Sequence, residues 1–192
     1  MSEKLIIGLT GMPAAGKAFI GKRFVELGCE LYTVGSTLKL YAERQNTPIR
    51  NRADAADLWH RVVRQDPMAM LQVPLAAKGD VVVDSIRVPN HARQLRAHAE
   101  IQGARFVLLG AVCDSDEVRF ARAMENFDER GQRDPTDFEA FIAENQPEMY
   151  SPDPNEISLQ TVLDMADYHI DTLALSKREV MEAVDNLWML QH

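Results

Sequence analysis

Two cysteines, Cys29 and Cys113, are all that the chain contains. They are too few for a disulfide framework or a cysteine metal cluster, so both are expected to be ordinary thiols of a cytoplasmic protein. No apolar run approaches the roughly 18 to 20 residues of a membrane-spanning helix. The opening MSEKLIIGLTG has a short apolar run interrupted by glycines, without a secretory core or a convincing cleavage site. An excess of positive charge is missing too: 21 Lys and Arg stand against 29 Asp and Glu, a net charge of −8. That balance argues against broad attraction to duplex nucleic acid, as does the lack of an aromatic and basic stripe, but it leaves room for a local basic pocket. His60, His91, His98, His169 and His192 form no H-x-x-x-H signature, so no structural zinc is expected. There is no internal repeat and no low-complexity tract.

What is present is enough apolar side chain, 46% of 192 residues, for one domain spanning 1–192 with a substantial core. Short apolar runs alternate with segments of helical spacing. Leu5 to Leu9 reads as a strand, followed by a glycine turn and a helix carrying Ile20, Phe24 and Leu27. Glu30 to Val34 is a second extended stretch, with Ser36 as the expected cap of the next helix. Residues 51–78 read as two helices broken near Asp66-Pro67, with Pro74 as a second kink. VVVD, ending at Asp84, and RFVLLGAVC, ending at Cys113, have the continuous apolarity of parallel strands buried on both faces. A helix capped by Asp114 or Ser115 should bury Val118, Ala121 and Met124 and turn Arg119, Arg122 and Asn126 to another face. A short helix capped by Thr136, a proline-punctuated loop, a short helix ending near Ala166, a strand around YHIDTLAL and a helix from Ser176 complete the chain. Trp59 and Trp188 are expected to be packing residues on amphipathic helices. About five strands alternating with helices specify a three-layer α/β sandwich.

Gly11-Met12-Pro13-Ala14-Ala15-Gly16-Lys17 satisfies G-x-x-x-x-G-K directly between a predicted strand and a predicted helix, the context that gives this motif its mechanical sense. Small residues let backbone N–H groups approach phosphate oxygens, the helix start adds partial positive charge, and Lys17 can reach the β and γ phosphates. The motif's usual magnesium-binding hydroxyl is missing: Ala18 stands there, followed by Phe19. Magnesium on a nucleotide is also held by phosphate oxygens, waters and carboxylates, so this loss should weaken its placement without abolishing it. Asp84, at the predicted end of a buried strand, is the candidate to hold the ion directly or through water; its plain alternative is a structural strand-end aspartate.

Arg87 lies where strand ends of doubly wound folds converge on ligands, and it either clamps an acceptor phosphate or pairs with Asp84. Arg61 and Arg64, one helical turn apart, are further candidates for the acceptor side. Arg119, Arg122, Arg130 and Arg133 form a second basic group beside Gly131 and Asp134-Pro135. Charge that develops on a transferred phosphoryl group calls for such a segment as a lid.

These stretches together resemble the archaeal-type P-loop kinases related to dephospho-coenzyme A kinase and the adenylate kinase-like nucleoside monophosphate kinases. The likeness rests on GLTGMPAAGKAF, ELGCELYTVGSTLK, VVVDSIRVPNHARQLR, DEVRFARAMENFDERGQRDPTDFEAF and MADYHIDTLALSKREVMEAVDNLW, and spans nearly the whole chain. It implies a P-loop NTPase sandwich with five parallel strands, a helical acceptor-binding region at 36–78 and an arginine-rich lid at 119–146. By motif, Gly11 to Lys17 would wrap the donor phosphates of ATP, Asp84 and Arg87 would serve the acceptor and magnesium side, and the four lid arginines would serve donor base or phosphates. Departures are Ala18, Ser85 where relatives commonly carry glycine, and a long proline-rich QPEMYSPDPNEISLQ stretch.

The leading expectation is therefore ATP- and magnesium-dependent phosphoryl transfer to a small nucleotide, most simply a nucleoside monophosphate, modified or not, with dephospho-coenzyme A as the alternative acceptor. A non-catalytic nucleotide sensor or scaffold, motivated by Ala18, and a nucleic-acid-end kinase are the competing classes. No membrane partner and no stable duplex nucleic-acid partner are expected.

Overall fold

A computed structural model of the chain describes residues 3–50, 52–66, 68–69, 71–125 and 137–192, the side chains of Val34, Arg52, Ala53, Ala55, Ala56, His60, Val63 and Arg64 excepted. Five strands, β1 (Leu5–Thr10), β2 (Glu30–Thr33), β3 (Val81–Asp84), β4 (Arg105–Val112) and β5 (Tyr168–Asp171), form one sheet. Their order is β2-β3-β1-β4-β5, and every pairing is parallel. Among the described residues the helices are α1 (Lys17–Glu26), α2 (Val34–Arg44), α3 (Arg52–Gln65), α4 (Gln72–Ala76), α5 (Pro89–Ile101), α6 (Asp116–Glu125), α7 (Phe138–Asn145), α8 (Leu159–Asp164) and α9 (Lys177–Gln191), with a 3-10 turn at Gln146–Glu148 after α7. The architecture is the three-layer α/β sandwich expected from the alternation of runs.

The central strands are buried on both faces because strand side chains alternate. Leu5, Ile7, Leu9, Val107 and Leu109 face α1 and α9, where Ile20, Phe24, Val180, Val184 and Leu187 complete one core. Ile6, Val81, Val83 and Leu108 face α4, α5 and α8, meeting Leu75, Ala92, Leu95, Ala99 and Val162. A smaller cluster joins α2 to α3 through Leu38, Ala42, Leu58 and Val62. Trp188 packs on Phe24 and Trp59 meets the edge of His91, in keeping with their packing assignment. Cys29 and Cys113 are buried free thiols, and burial, with a smaller contribution from the charge of Asp80, pushes the Cys29 thiol up to about 12.

Several local expectations are corrected. The cap of α2 is Thr33, whose hydroxyl accepts from Ser36 N, while Ser36 closes the capping box from inside the helix. The cap of α7 is Asp137, whose carboxylate accepts from Ala140 N; Thr136 lies outside the described residues. The last strand stops at Asp171, because its carboxylate accepts from both Leu173 N and Ala174 N and turns the chain. Finally, α6 does not bury Ala121 and Met124, which are exposed; Arg119 and Ala123 are the buried residues. A guanidinium can occupy that position because its N–H groups find acceptors there, as the site geometry makes plain.

Among the described residues, no helix is long and apolar enough to cross a membrane.

Candidate active site

The β1–α1 connection turns where side chains would obstruct it. Gly11 has φ +139°, and a Cβ there would stand 2.3 Å from the Ala111 carbonyl oxygen. Gly16, at φ +95°, would bring a Cβ to 3.1 Å of the Thr172 methyl. Ala14 also takes a left-handed conformation, at φ 59°. The turn closes with Ala15 N donating to Met12 O at 3.1 Å. Gly16 caps α1 without a side-chain hydrogen bond and no acidic residue occupies the first turn, so the helix start keeps its attraction for an anion. Lys17 is only 8% exposed, and its Nζ donates to Gly11 O at 2.7 Å and Met12 O at 2.8 Å. Ala18 is exposed and Phe19 half-buried.

The carbonyl side of this loop is braced from two other elements. Arg119 of α6, 4% exposed, donates to Pro13 O at 3.3 Å, pairs with Asp116, and lies over the Phe141 ring at 5.5 Å. Arg122, one turn on, donates through Nη1 to Thr172 Oγ1 at 3.0 Å and through Nη2 to Thr172 O at 2.6 Å. The Thr172 hydroxyl in turn donates to Ala15 O at 2.8 Å and approaches Val112 O at 3.1 Å. Thus both α6 arginines reach the β1–α1 loop, one directly and one through the residue that follows β5.

A cavity of about 620 Å³ opens against the loop. It brings together Pro13, Ala14, Gly16, Lys17, Ala18 and Phe19 with Asp84 and Arg87 from the end of β3 and with Arg122. Gly11, Met12 and Ala15 complete the loop without lining the cavity, and Arg119 stands behind it on Pro13. Arg61 is exposed on α3 and is not part of this cavity. The Arg64 side chain, and Arg130 and Arg133 altogether, lie outside the described residues. Asp84 accepts from Ser85 Oγ at 3.3 Å. Ser85 has φ +68°, a left-handed backbone that accounts for the glycine expected there in relatives. The alternative pairing of Arg87 with Asp84 is not found. Arg87 instead pairs with Glu148 of the 3-10 turn, Nη1 donating to its two carboxylate oxygens at 3.0 and 2.9 Å.

Sequence reasoning missed the remaining cavity wall. Glu125 of α6, Phe141, Glu144 and Asn145 of α7, Glu148, Thr172 and Lys177 also line it. The β5 end carried a usable signal for Thr172, since ligand sites gather at the carboxyl ends of parallel strands. Phe141 and Asn145 recur one helical turn apart, and Glu148 closes the turn beyond them, but nothing in the local sequence says which way that helix faces.

No protein-family model matches the chain. It is similar to a UPF0200 protein of Pyrococcus horikoshii, 26% identical over 176 residues covering 86% of this chain and 87% of that one. A UPF0200 protein of Pyrococcus abyssi is 24% identical, covering 98% and 100%. Among solved structures, shikimate kinase of Bacteroides thetaiotaomicron matches with a TM-score of 0.58 and 18% identity over 97% of both chains. The APS kinase of Mycobacterium tuberculosis, solved with AMPPNP and APS, matches with a TM-score of 0.53 and 13% identity over 98% of this chain and 99% of that one. At such identities these structures establish a shared fold, and the chain has the fold of small-molecule P-loop kinases.

Proposed function

We propose that the protein transfers the γ-phosphoryl group of ATP to a small nucleotide acceptor, most simply a nucleoside monophosphate, with dephospho-coenzyme A as the alternative. The observation that carries this reading is one cavity holding both Lys17 of a left-handed, glycine-turned loop and the Asp84–Arg87 strand end. The match to kinases of shikimate and APS supports it as a matter of fold. In this mechanism the loop from Gly11 to Phe19 holds the donor phosphates, and Lys17 offsets charge on the group in flight. Arg119 and Arg122 fix the loop, Arg122 from the cavity wall, and Arg130 and Arg133 close over the phosphates as a lid within 119–146. The helices of 36–78, with Arg61 and Arg64, serve the acceptor, and Arg87 binds its anionic group. Such positioning and preorganised charge are what phosphoryl transfer asks of a protein.

Magnesium fits this arrangement as an ion carried by the nucleotide. Asp84 would be the protein carboxylate that holds it, directly or through water, and the ion would offset charge on the phosphate oxygens.

Ala18, exposed at the cavity, supports a second reading as a non-catalytic nucleotide sensor. Magnesium-titrated initial rates separate the two. Wild type, Lys17→Ala and Ala18→Ser are compared with ATP against nucleoside monophosphates, modified pyrimidine monophosphates and dephospho-coenzyme A. Wild-type turnover well above Lys17→Ala with one acceptor is the expected result, with Ala18→Ser shifting the magnesium requirement downward. ATP binding without turnover above the Lys17→Ala background favours the sensor.

A further inference from the structure

The Arg87–Glu148 pair joins two cavity walls that are 61 residues apart in sequence, and the transfer chemistry assigns no part to its acidic half. Both Glu148 oxygens accept from a single guanidinium nitrogen, Nη1, at 3.0 and 2.9 Å. The Nε and Nη2 donors of Arg87 make no hydrogen bond among the described residues. These two N–H groups form the parallel fork that grips carboxylates and phosphates in bidentate fashion. The root of the side chain is fixed, since Arg87 O accepts from Ser158 N at 2.9 Å and Ile86 N donates to Leu9 O at 2.8 Å. One arginine thus carries a resident anion on one corner and keeps its bidentate edge available, on the wall of the same cavity as Lys17.

We propose that Glu148 is a built-in competitor for the acceptor's anionic group. Its carboxylate holds Arg87 until a phosphate monoester takes the guanidinium over through Nε and Nη2. Naming the incoming anion a phosphate monoester rests on the kinase reading; the competition itself rests on the geometry of the pair. The side chains are 34% and 26% exposed, so the pair is weak enough to exchange, and removing its charge should change anion affinity by about two- to fivefold. A phosphate dianion brings more charge and more acceptor oxygens than a carboxylate, and therefore wins the exchange. An uncharged acceptor of the same shape does not, which makes Glu148 a specificity determinant that favours phosphorylated acceptors over neutral ones.

The test uses the full chain with its phosphate loop saturated by ADP and magnesium, so that added inorganic phosphate reports on the acceptor side. Calorimetric phosphate titrations are run on wild type, Glu148→Gln, Arg87→Gln and the double variant. Glutamine keeps the size and an oxygen acceptor for Nη1 while removing the charge. Glu148→Gln should bind phosphate about two- to fivefold more tightly than wild type. In the Arg87→Gln background the identity of residue 148 should make no difference. Unchanged or weaker phosphate binding by Glu148→Gln, or the same tightening without Arg87, overturns the proposal. Glu148→Asp, which draws the carboxylate back from Nη1, should shift affinity in the same direction and serves if the glutamine variant folds poorly. The ADP titration stands apart: a chain that binds no ADP refutes the kinase reading, while the role of Glu148 is still decided by whether the tightening in Glu148→Gln disappears in the Arg87→Gln background.

Discussion

Thr172→Val removes one hydroxyl and leaves almost the same volume, so its effects isolate the clasp between the β5 end and the phosphate loop. Thr172 is 7% exposed, and its Oγ1 is the donor to Ala15 O at 2.8 Å. Val112 O keeps a bond from Thr172 N at 2.9 Å, and Arg122 keeps the Thr172 carbonyl at 2.6 Å. Arg122 Nη1 loses the oxygen it donates to, and Ala15 O, in a residue of 0% exposure, is the buried acceptor left without its partner. A buried acceptor orphaned in this way costs about 1–3 kcal/mol. For a chain of this size that is about 2–4 °C per kcal/mol, hence a fall of about 2–12 °C in melting temperature. Calorimetric melting gives the first readout. ADP affinity gives the second, and it should weaken, because a loop that samples other turns pays ordering entropy on binding phosphate. A variant that melts within about 1 °C of wild type and binds ADP equally well would refute the claim that Thr172 holds the loop.

Gly11→Ala should destabilise far more than Gly28→Ala, although both positions have positive φ, because a Cβ at 11 meets the Ala111 carbonyl at 2.3 Å while none of the described atoms lies within 4 Å of one at 28; comparable losses in chemical denaturation would contradict this. Cys29, pushed up to about 12 by burial, and the buried Cys113 should both resist a thiol reagent at mildly alkaline pH and react fully once the chain is unfolded. Arg23 donates to both carboxylate oxygens of Asp185 at 2.7 and 2.8 Å and holds that carboxyl below its ordinary value. Its contribution is therefore present above the unfolded carboxyl's range and lost as pH falls through the folded value, so the stability gap between wild type and Asp185→Asn should close on acidification below about pH 4. Arg133→Ala should lower turnover with no matching change in melting temperature; equal losses in both would contradict the proposed lid.

The fold was legible because the strands carry continuous apolar runs and the connections carry strong turn residues. VVVD and RFVLLGAV needed no partner information to be read as buried parallel strands. The turn between β1 and α1 was equally plain, since its glycines mark backbone conformations that few other residues accept. What could not be read was direction. The arginines of α6 were recognisable as a group, but an arginine is expected to face solvent, and only the Pro13 carbonyl and the Phe141 ring explain why this helix turns Arg119 inward. Glu148 lay in a stretch that reads as loop, and its partner Arg87 is remote in sequence. Local patterns specify elements; pairings across the cavity depend on how α7 and its turn are carried back over the sheet.

The two α6 arginines also differ in what they can lose. Arg119 is buried, and its guanidinium rests on Pro13 O, Asp116 and the face of Phe141. Truncating it removes a charge, a ring contact and a loop contact together, and Phe141 belongs to the cavity wall. Arg122 is half-buried and lines the cavity itself, and it reaches the loop through Thr172. The part of its effect that runs through the hydroxyl should therefore be lost once that group is gone, while its bond to the Thr172 carbonyl remains. Arg122→Ala and Thr172→Val should combine less than additively in stability, whereas Arg119→Ala and Thr172→Val, acting on Pro13 and Ala15 separately, should come closer to additive. Full additivity for the first pair would mean that Arg122 stabilises the chain by a route other than the Thr172 hydroxyl, and the coupling from α6 through that hydroxyl to the β1–α1 loop would have to be abandoned.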